Sequence, residues 1–575
     1  MSWMGRTLAR AGMLAMLTAI IGWPMVATCL AAWERRSSSD NEPSMGLMSP
    51  IGGDLTGGQV ERPLRLAFET IRIVAATELL VIPIGLPLAF FLFRTDAWGR
   101  QFLNGLLVIA AFVPLPLHAA AWLGAFGNAG RSQVFGGVPF LVGWPGAAFV
   151  QAMAAIPWLV IIAGVGLRTV EPELEEAAMF DLPAWRVVVQ VTFRRALGAV
   201  LGAILAVAVL SASDMTVTDL LQVRTYAEEA YLQYSLGNGP AAAAAVALPP
   251  ILVLGAFLGL GAIALMKVDP ARLATVAARS KVWKLGRWRL PLGVLVTLGM
   301  GNIVALPLYA LVWRAGRVGG IAAAGQSPHW SINGLSGSLK LAWSDAAEPL
   351  FTSLGLSAGV ATLALILGWS LSWFCRNSRL WRWIAAGATA LAFAAPGPVV
   401  GMAIVYAYRD APRLDLGFSL HLGVETHVYE VAQRLKFSLY DSPLMIVIAG
   451  LARTFPYALL ILWPAVRSIP GEWLDAGAID GLGPWGIVRR VGIPSTFGAI
   501  LAAWLIVFML AFGELPATNI ATPPGWNPLS VSIWGLLHTG VESHLAGVVM
   551  IMLAVIGLLG SVALIALARI GRDRV

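Results

Sequence analysis

Twelve times along this chain a run of about twenty apolar residues is closed by a short polar segment, and that rhythm limits what the chain can become. The runs lie near 11–32, 66–93, 103–126, 145–167, 196–216 and 242–266, then near 291–313, 351–375, 383–407, 443–466, 496–517 and 545–568. A bilayer core about 30 Å thick is crossed by roughly 20 residues of helix. Within it only helices and closed barrels satisfy every backbone group. Charged residues make up 12% of the 575, against about a quarter in soluble domains, so a soluble fold is excluded. The expected class is an all-α polytopic membrane protein with about 12 transmembrane helices.

Arg6 and Arg10 precede an apolar stretch longer than the core of a secretory signal, so the first run reads as an uncleaved span. Lys and Arg in the connections set the orientation. With the N-terminus inside, the inner connections hold 24 of the 39 basic residues and the outer ones 13, while Arg72 and Arg453 fall within or at the edge of spans. Both termini are therefore expected in the cytoplasm. The net charge of +8 reads as this bias and not as a nucleic-acid surface. Cys29 and Cys375 lie at opposite ends of the expected membrane, so no disulfide is expected.

The two sets of six spans read as copies. Phe68–Phe91 aligns without gaps on Phe351–Phe374, with Ala75/Ala358, Leu80/Leu363, Gly85/Gly368 and Leu88/Leu371 identical. Trp185–Thr218 aligns on Trp485–Thr518 at a shift of 300, across a polar loop and a span. Between these blocks the offset grows from 282–283 to 299, which places an insertion in the outer segment 408–442. An even number of spans per copy gives both the same orientation, as parallel repeats about an axis along the membrane normal. The expected units are 1–270, a basic cytoplasmic linker at 271–290, and 291–575.

One polar connection is more patterned than a loop needs to be. In "DAGAIDGLGPWGIVRRVGIP", Asp475 to Pro494, small residues open the segment, Gly481 suits a helix stop at positive φ, and Pro494 suits a restart. Its counterpart is "EEAAMFDLPAWRVVVQVTFRRA", Glu175 to Ala196. The segment resembles the EAA loop of permease subunits of ATP-binding-cassette importers. Asp475, Ala476, Gly477, Gly481, Val491, Ile493 and Pro494 hold that family's spacing. The resemblance implies a type I importer permease fold and a coupling helix that docks on an ATPase subunit. It also implies two such subunits inside and a soluble solute-binding protein outside, in a prokaryotic plasma membrane. In the first copy Glu176, Ala177, Ala178 and Asp181 carry the pattern, but one residue is missing, the glycine is gone and Arg194 replaces the proline. "GELPATNIATPPGWNPLSVSIWGLLHTG", 513–540, is similar to fused ferric-iron permeases, which implies iron as cargo; thiamine, phosphonate and polyamine systems are related alternatives.

"LTGGQ", 55–59, looks like an ATPase signature, but the chain has no Gly-Lys dipeptide and so no phosphate-binding loop. ATP hydrolysis is expected on a separate subunit, with no catalytic, cofactor or metal site here. Three acids are candidates for the solute pathway. Glu78 lies mid-span, where it reads as a pathway carboxylate or as a group paired in helix packing. Asp214 and Glu514 stand at equivalent ends of the fifth spans, as pathway acids or as caps of the loops that follow. The alternative from another class is an ion-coupled secondary transporter, which would favour intramembrane acids and broken helices at the midplane.

Overall fold

A computed structural model of the protein describes residues 3–28, 30, 58–127, 138–236, 240–266, 281–319, 329–409, 414–424, 427–539 and 542–572. Helix α1 (Trp3–Leu17) passes through a π turn at Thr18–Gly22 and continues to Thr28. There follow α2 (Gly58–Arg94), α3 (Arg100–Ala111), α4 (Leu115–Phe126), α5 (Gly143–Leu167), α6 (Pro172–Ala178), α7 (Ala184–Val187), α8 (Leu197–Ala212), α9 (Thr216–Leu220), α10 (Tyr226–Ser235) and α11 (Pro240–Met266). The second half holds α12 (Arg289–Gly316), α13 (Ile332–Asn377), α14 (Arg379–Ala394), α15 (Gly397–Tyr408), α16 (Leu444–Arg467), α17 (Gly471–Ile479), α18 (Pro484–Ile487), α19 (Ile493–Phe512), α20 (Pro516–Ala521), α21 (Leu529–Thr539) and α22 (Glu542–Arg572).

Each expected span meets a helix. Among the described residues eight helices are long and apolar enough to cross a membrane, or eleven if each of three bent pairs counts as one span. Two of these breaks are equivalent: α3/α4 bends by 103° and α14/α15 by 109°. Pro114 and Pro396 cap the second helix of each pair in extended conformation. Proline has no N–H for the preceding turn and pushes its neighbour out of the helical region, so the chain turns there.

The halves pack alike. In each, the second-span helix (α2, α13) lies along the fourth (α5, α16), and both touch the fifth (α8, α19). The approach is close because a glycine sits at the crossing. A Cβ on Gly85 would stand 2.5 Å from Leu159 Cδ2, and one on Gly368 would stand 3.1 Å from Ala458 Cβ. Across the boundary α11 packs on α14 and α15, while α22 packs on α3 and α4. Helix α1 lies against the second half: Tyr408 Oη donates to Ala19 O at 2.6 Å, and Ile20 and Ile21 join that half's core.

Several boundaries differ from expectation. Helix α13 has 46 residues and starts at Ile332, well before the expected 351–375 span. At 1.5 Å per residue it extends far beyond a bilayer. The segment 408–442 holds an antiparallel hairpin, β1 (Leu414–Val424) paired with β2 (His427–Phe437). Of the linker, 271–280 lies outside the described residues, as does Cys29. Residues 281–285 are extended along the α2–α3 turn: Trp283 N donates to Arg94 O at 2.7 Å, and Leu285 N to Asp96 Oδ1 at 2.8 Å. Cys375 is buried and unpaired.

Candidate functional site

Two polar regions can be built from the expected residues: the loops that follow the fourth spans, and the boundary between the halves.

In the second loop α17 ends where Gly481 takes φ +78°. Leu482 N donates to Gly477 O at 3.0 Å and Gly481 N to Ala478 O at 3.1 Å. These paired bonds close a helix through a left-handed glycine and satisfy carbonyls the helix leaves open. Gly477 is the buried residue of α17. A Cβ there would meet Leu482, Val491 and Ile487 at 3.5–3.7 Å, ordinary contact, so alanine fits as well as glycine. Asp475 and Ala476 are exposed on the same helix. Val491 lies in a π turn, Val488–Gly492, and Ile493 and Pro494 open α19, where proline costs no hydrogen bond.

The first loop is built differently. Helix α6 ends without a positive φ, in tightened bonds such as Phe180 N to Ala177 O at 3.3 Å. Five residues, 179–183, connect α6 to α7, against four, 480–483, although α6 is two residues shorter than α17. Where Arg194 replaces proline, α7 and its π turn meet α8 at 68°, whereas Pro484–Phe512 runs as one span. Glu175 replaces a glycine-and-turn solution with charge: fully buried, it pairs with the buried Arg94 and accepts from Thr192 Oγ1. Arg94 Nη1 also donates to Leu167 O at 2.9 Å. Arg376 makes the equivalent bond to Val466 O at 3.0 Å and a second to Ile469 O. Glu176 is ion-paired with Lys281 of the linker at 3.5 Å; Ala177 and Asp181 are exposed and Ala178 is half-buried.

Both loops present large apolar side chains to solvent. Phe180 is 91% exposed and Ile479 85%, with Trp185 and Trp485 beside them. The sequence reading named the small and charged positions and passed over these anchors. Trp185 and Trp485 were visible as identical repeat residues.

Between the halves lies a cavity of about 150 Å³. The first half contributes the α3/α4 break around Val113, with Gln151, Ala154 and Trp158 of α5; the second contributes Tyr457 of α16, Met509 of α19 and Gly513 just after it. Trp158 and Tyr457 stand 299 positions apart, on α5 and α16. Their ring centroids stand 6.3 Å apart.

Asp214 and Glu514 prove equivalent in structure. Asp214 accepts from Thr216 N (2.9 Å), Val217 N (3.1 Å) and Gln151 Nε2 (2.9 Å). Glu514 accepts from Ala517 N (2.9 Å), Thr518 N (2.8 Å) and Thr518 Oγ1. Each carboxylate thus caps the short helix that follows, α9 or α20, and Asp214 reaches the cavity through Gln151. Glu78 stands apart: both its oxygens are buried without a hydrogen-bond partner, and it does not line the cavity. Among the described residues no His, Cys, Asp and Glu cluster could hold a metal.

Residues 360–575 match the family described as "Binding-protein-dependent transport system inner membrane component". The chain is 27% identical over 108 residues to an inner membrane ABC transporter permease protein of Escherichia coli, covering 17% of this chain and 39% of that one. It is 26% identical over 238 residues to a protein of Salmonella typhimurium named for 2-aminoethylphosphonate transport as a permease, covering 41% and 78%. A spermidine/putrescine transport system permease protein of Escherichia coli is 23% identical over 119 residues, covering 21% and 44%. The chain therefore spans less than half the length of the first and third of these relatives. The packed spans make this a mostly helical polytopic membrane protein, and its residues 360–575 are similar to the binding-protein-dependent transport family.

Proposed function

We propose that the whole chain is the permease of an ATP-binding-cassette importer, with both membrane halves fused and both termini cytoplasmic. Two ATPase subunits dock on the loops 175–196 and 475–494, and an extracytoplasmic binding protein delivers the solute. The observation that carries the reading is the second loop. It is a rigid, glycine-terminated helix that lifts Ile479 into solvent, inside the region matching the binding-protein-dependent family. An exposed apolar anchor on a fixed helix is what a partner's cleft takes up. ATP-driven closure of the ATPases would bias the halves between two arrangements, which requires different contacts in each.

For cargo, the resemblance of 513–540 favours ferric iron, and the relatives' names place 2-aminoethylphosphonate and spermidine/putrescine beside it. The two broken spans are the feature that favours an ion-coupled carrier instead. Co-purification with a co-expressed ATP-binding-cassette ATPase, followed by uptake in proteoliposomes, separates the two. ATP-dependent uptake lost in Ile479→Glu supports the importer; uptake driven by an ion gradient without ATP overturns it.

A further inference from the structure

On the side of the bundle away from the coupling loops, a second cavity of about 330 Å³ lies between the halves. The first half supplies Leu123 of α4, Gly143 at the start of α5 and Gln222 just after α9. The second supplies Arg314 of α12, Leu537 of α21 and Glu542 of α22. Helices α4 and α5 line both this pocket and the boundary cavity. Along α5, Gly143 and Gln151 are eight residues apart, about 12 Å of helix. The two spaces are stacked on one pair of helices.

Arg314 is the residue of this pocket that the fold leaves unsatisfied. Its side chain is 11% exposed, and its stem crosses α4 where Gly124 makes room: a Cβ there would stand 3.2 Å from Arg314 Cδ. A guanidinium carries five N–H donors, and buried donors are almost always hydrogen-bonded. Among the described residues this one makes no hydrogen bond. Nε is buried without a partner, and Nη2 lies 3.6 Å from Glu542 Oε1, an ion pair beyond hydrogen-bond reach. Nor does Glu542 answer Arg314 alone. Arg317 Nη1 donates to its other oxygen at 3.5 Å, so one carboxylate faces two guanidinium groups and the cluster keeps a net positive charge.

Gln222 departs from what the backbone alone would select. Val223 N donates to Thr218 O at 2.8 Å and Gln222 N to Asp219 O at 3.0 Å, the paired bonds that close a helix through a left-handed residue. Gln222 holds that position at φ +56°, the one non-glycine residue at positive φ among the described residues. Glycine takes this conformation without strain, as Gly481 does in the coupling loop. The glutamine instead brings an amide, donor and acceptor together, to the wall of the pocket that Arg314 lines. Helix α5 starts at the same wall with no side-chain cap, and its positive end adds to the field there. Asp219, three residues before Gln222, is held by His538 and is not part of the lining.

We propose that this pocket binds a small oxyanion, a carboxylate, phosphate or phosphonate group, with Arg314 and Gln222 as its donors. The planar guanidinium suits a two-oxygen acceptor, which would supply the hydrogen bonds that Arg314 lacks. The concave volume falls in the range of small-molecule sites. The proposal rests on the pocket and holds whether or not the chain transports what it binds here.

The test uses the full chain purified into nanodiscs of zwitterionic lipid, with labelled inorganic phosphate and 2-aminoethylphosphonate as anionic probes and spermidine as the cationic control. The expected result is saturable binding of an anion, competed by the other anion and not by spermidine. Gln222→Gly removes the amide and the backbone strain together. It should melt no lower than wild type and bind the anion severalfold more weakly. Arg314→Gln should weaken binding roughly tenfold or more. Because that variant also leaves Glu542 with one partner, a loss of binding that comes with early melting is decided by Gln222→Gly, whose fold is kept. No saturable anion binding to the wild-type chain, equal competition by spermidine, or wild-type affinity in either variant overturns the proposal.

Discussion

The indole of Trp158 and the ring of Tyr457 stand 6.3 Å apart at an angle of 47°, one from each half, on α5 and α16. Aromatic pairs at this separation attract beyond their buried area. They join the two central helices at the cavity between the halves. Tyr457→Ala removes one side of the contact. Leak of a small solute from proteoliposomes without ATP should rise severalfold, and an unchanged leak would count against the pair as a constriction.

Gly481 takes a left-handed conformation with open space where its Cβ would be, so a substitution there suffers strain and no clash. Gly481→Val should destabilise the turn by about 1–2 kcal/mol and weaken ATPase binding or its stimulation while membrane insertion persists. Gly477→Ala, with its room for a methyl group, is the control that should bind normally. Full stimulation in Gly481→Val would exclude a docking role for the turn.

The capping geometry of Asp214 and Glu514 separates two roles by substitution. Asparagine caps helices about as well as aspartate, whereas loss of a cap costs about 1 kcal/mol. Asp214→Asn with Glu514→Gln should therefore melt close to wild type, and Asp214→Ala below it. Normal transport in the neutral pair would assign both acids to capping. Impaired transport at normal stability would assign their charge to the pathway.

Glu175 and Arg94 are both fully buried, and removing one partner strands the other's charge. Glu175→Ala should cost about 3–5 kcal/mol, seen as a lower melting temperature, and pairing it with Arg94→Met should recover much of that. A melting temperature unchanged in the single variant would contradict the buried pairing.

On the face away from the coupling loops, His538 Nε2 lies 3.0 Å from Asp219 Oδ2, joining α21 to α9. This hydrogen bond holds the imidazole pKa above its ordinary value. Close by, burial and the neighbouring Glu229 and Asp219 push Glu228 up to about 7. Both groups bind more protons folded than unfolded, so their contribution is fullest at low pH. It falls for Glu228 as pH rises from the carboxylate range to about 7, and for His538 from about 6.5 upward through its raised pKa. Melting temperature across pH 5–9 should decline less steeply in His538→Gln; equal slopes would show that the pair contributes nothing.

The spans were legible because apolar runs of membrane length have few other uses, and the glycine turn at 481 because only glycine fits it without strain. Other features were not. Pro114 and Pro396 mark the breaks, yet broken spans are a feature expected of an ion-coupled carrier. Pro494 reads as a restart and does open α19, yet Pro484–Phe512 runs as one span, and the 68° bend falls where Arg194 stands in the first copy. Arg453 read as an edge charge, because its partners are carbonyls some 60 residues earlier in the chain that composition cannot reveal. Ile479 and Phe180 were hidden among apolar residues, and only burial distinguishes a docking anchor from a core residue.

Helix α1 also has a consequence for synthesis. The hydrogen bond from Tyr408 to Ala19 spans 389 residues, and the core that takes in Ile20 and Ile21 belongs to helices made long after α1. Helix α1 must therefore remain in the lipid without these neighbours until the helices of the second half are translated. A ribosome stalled after residue 270 would leave α1 stranded, and its side chains open to lipid-phase labelling until α13 to α16 arrive.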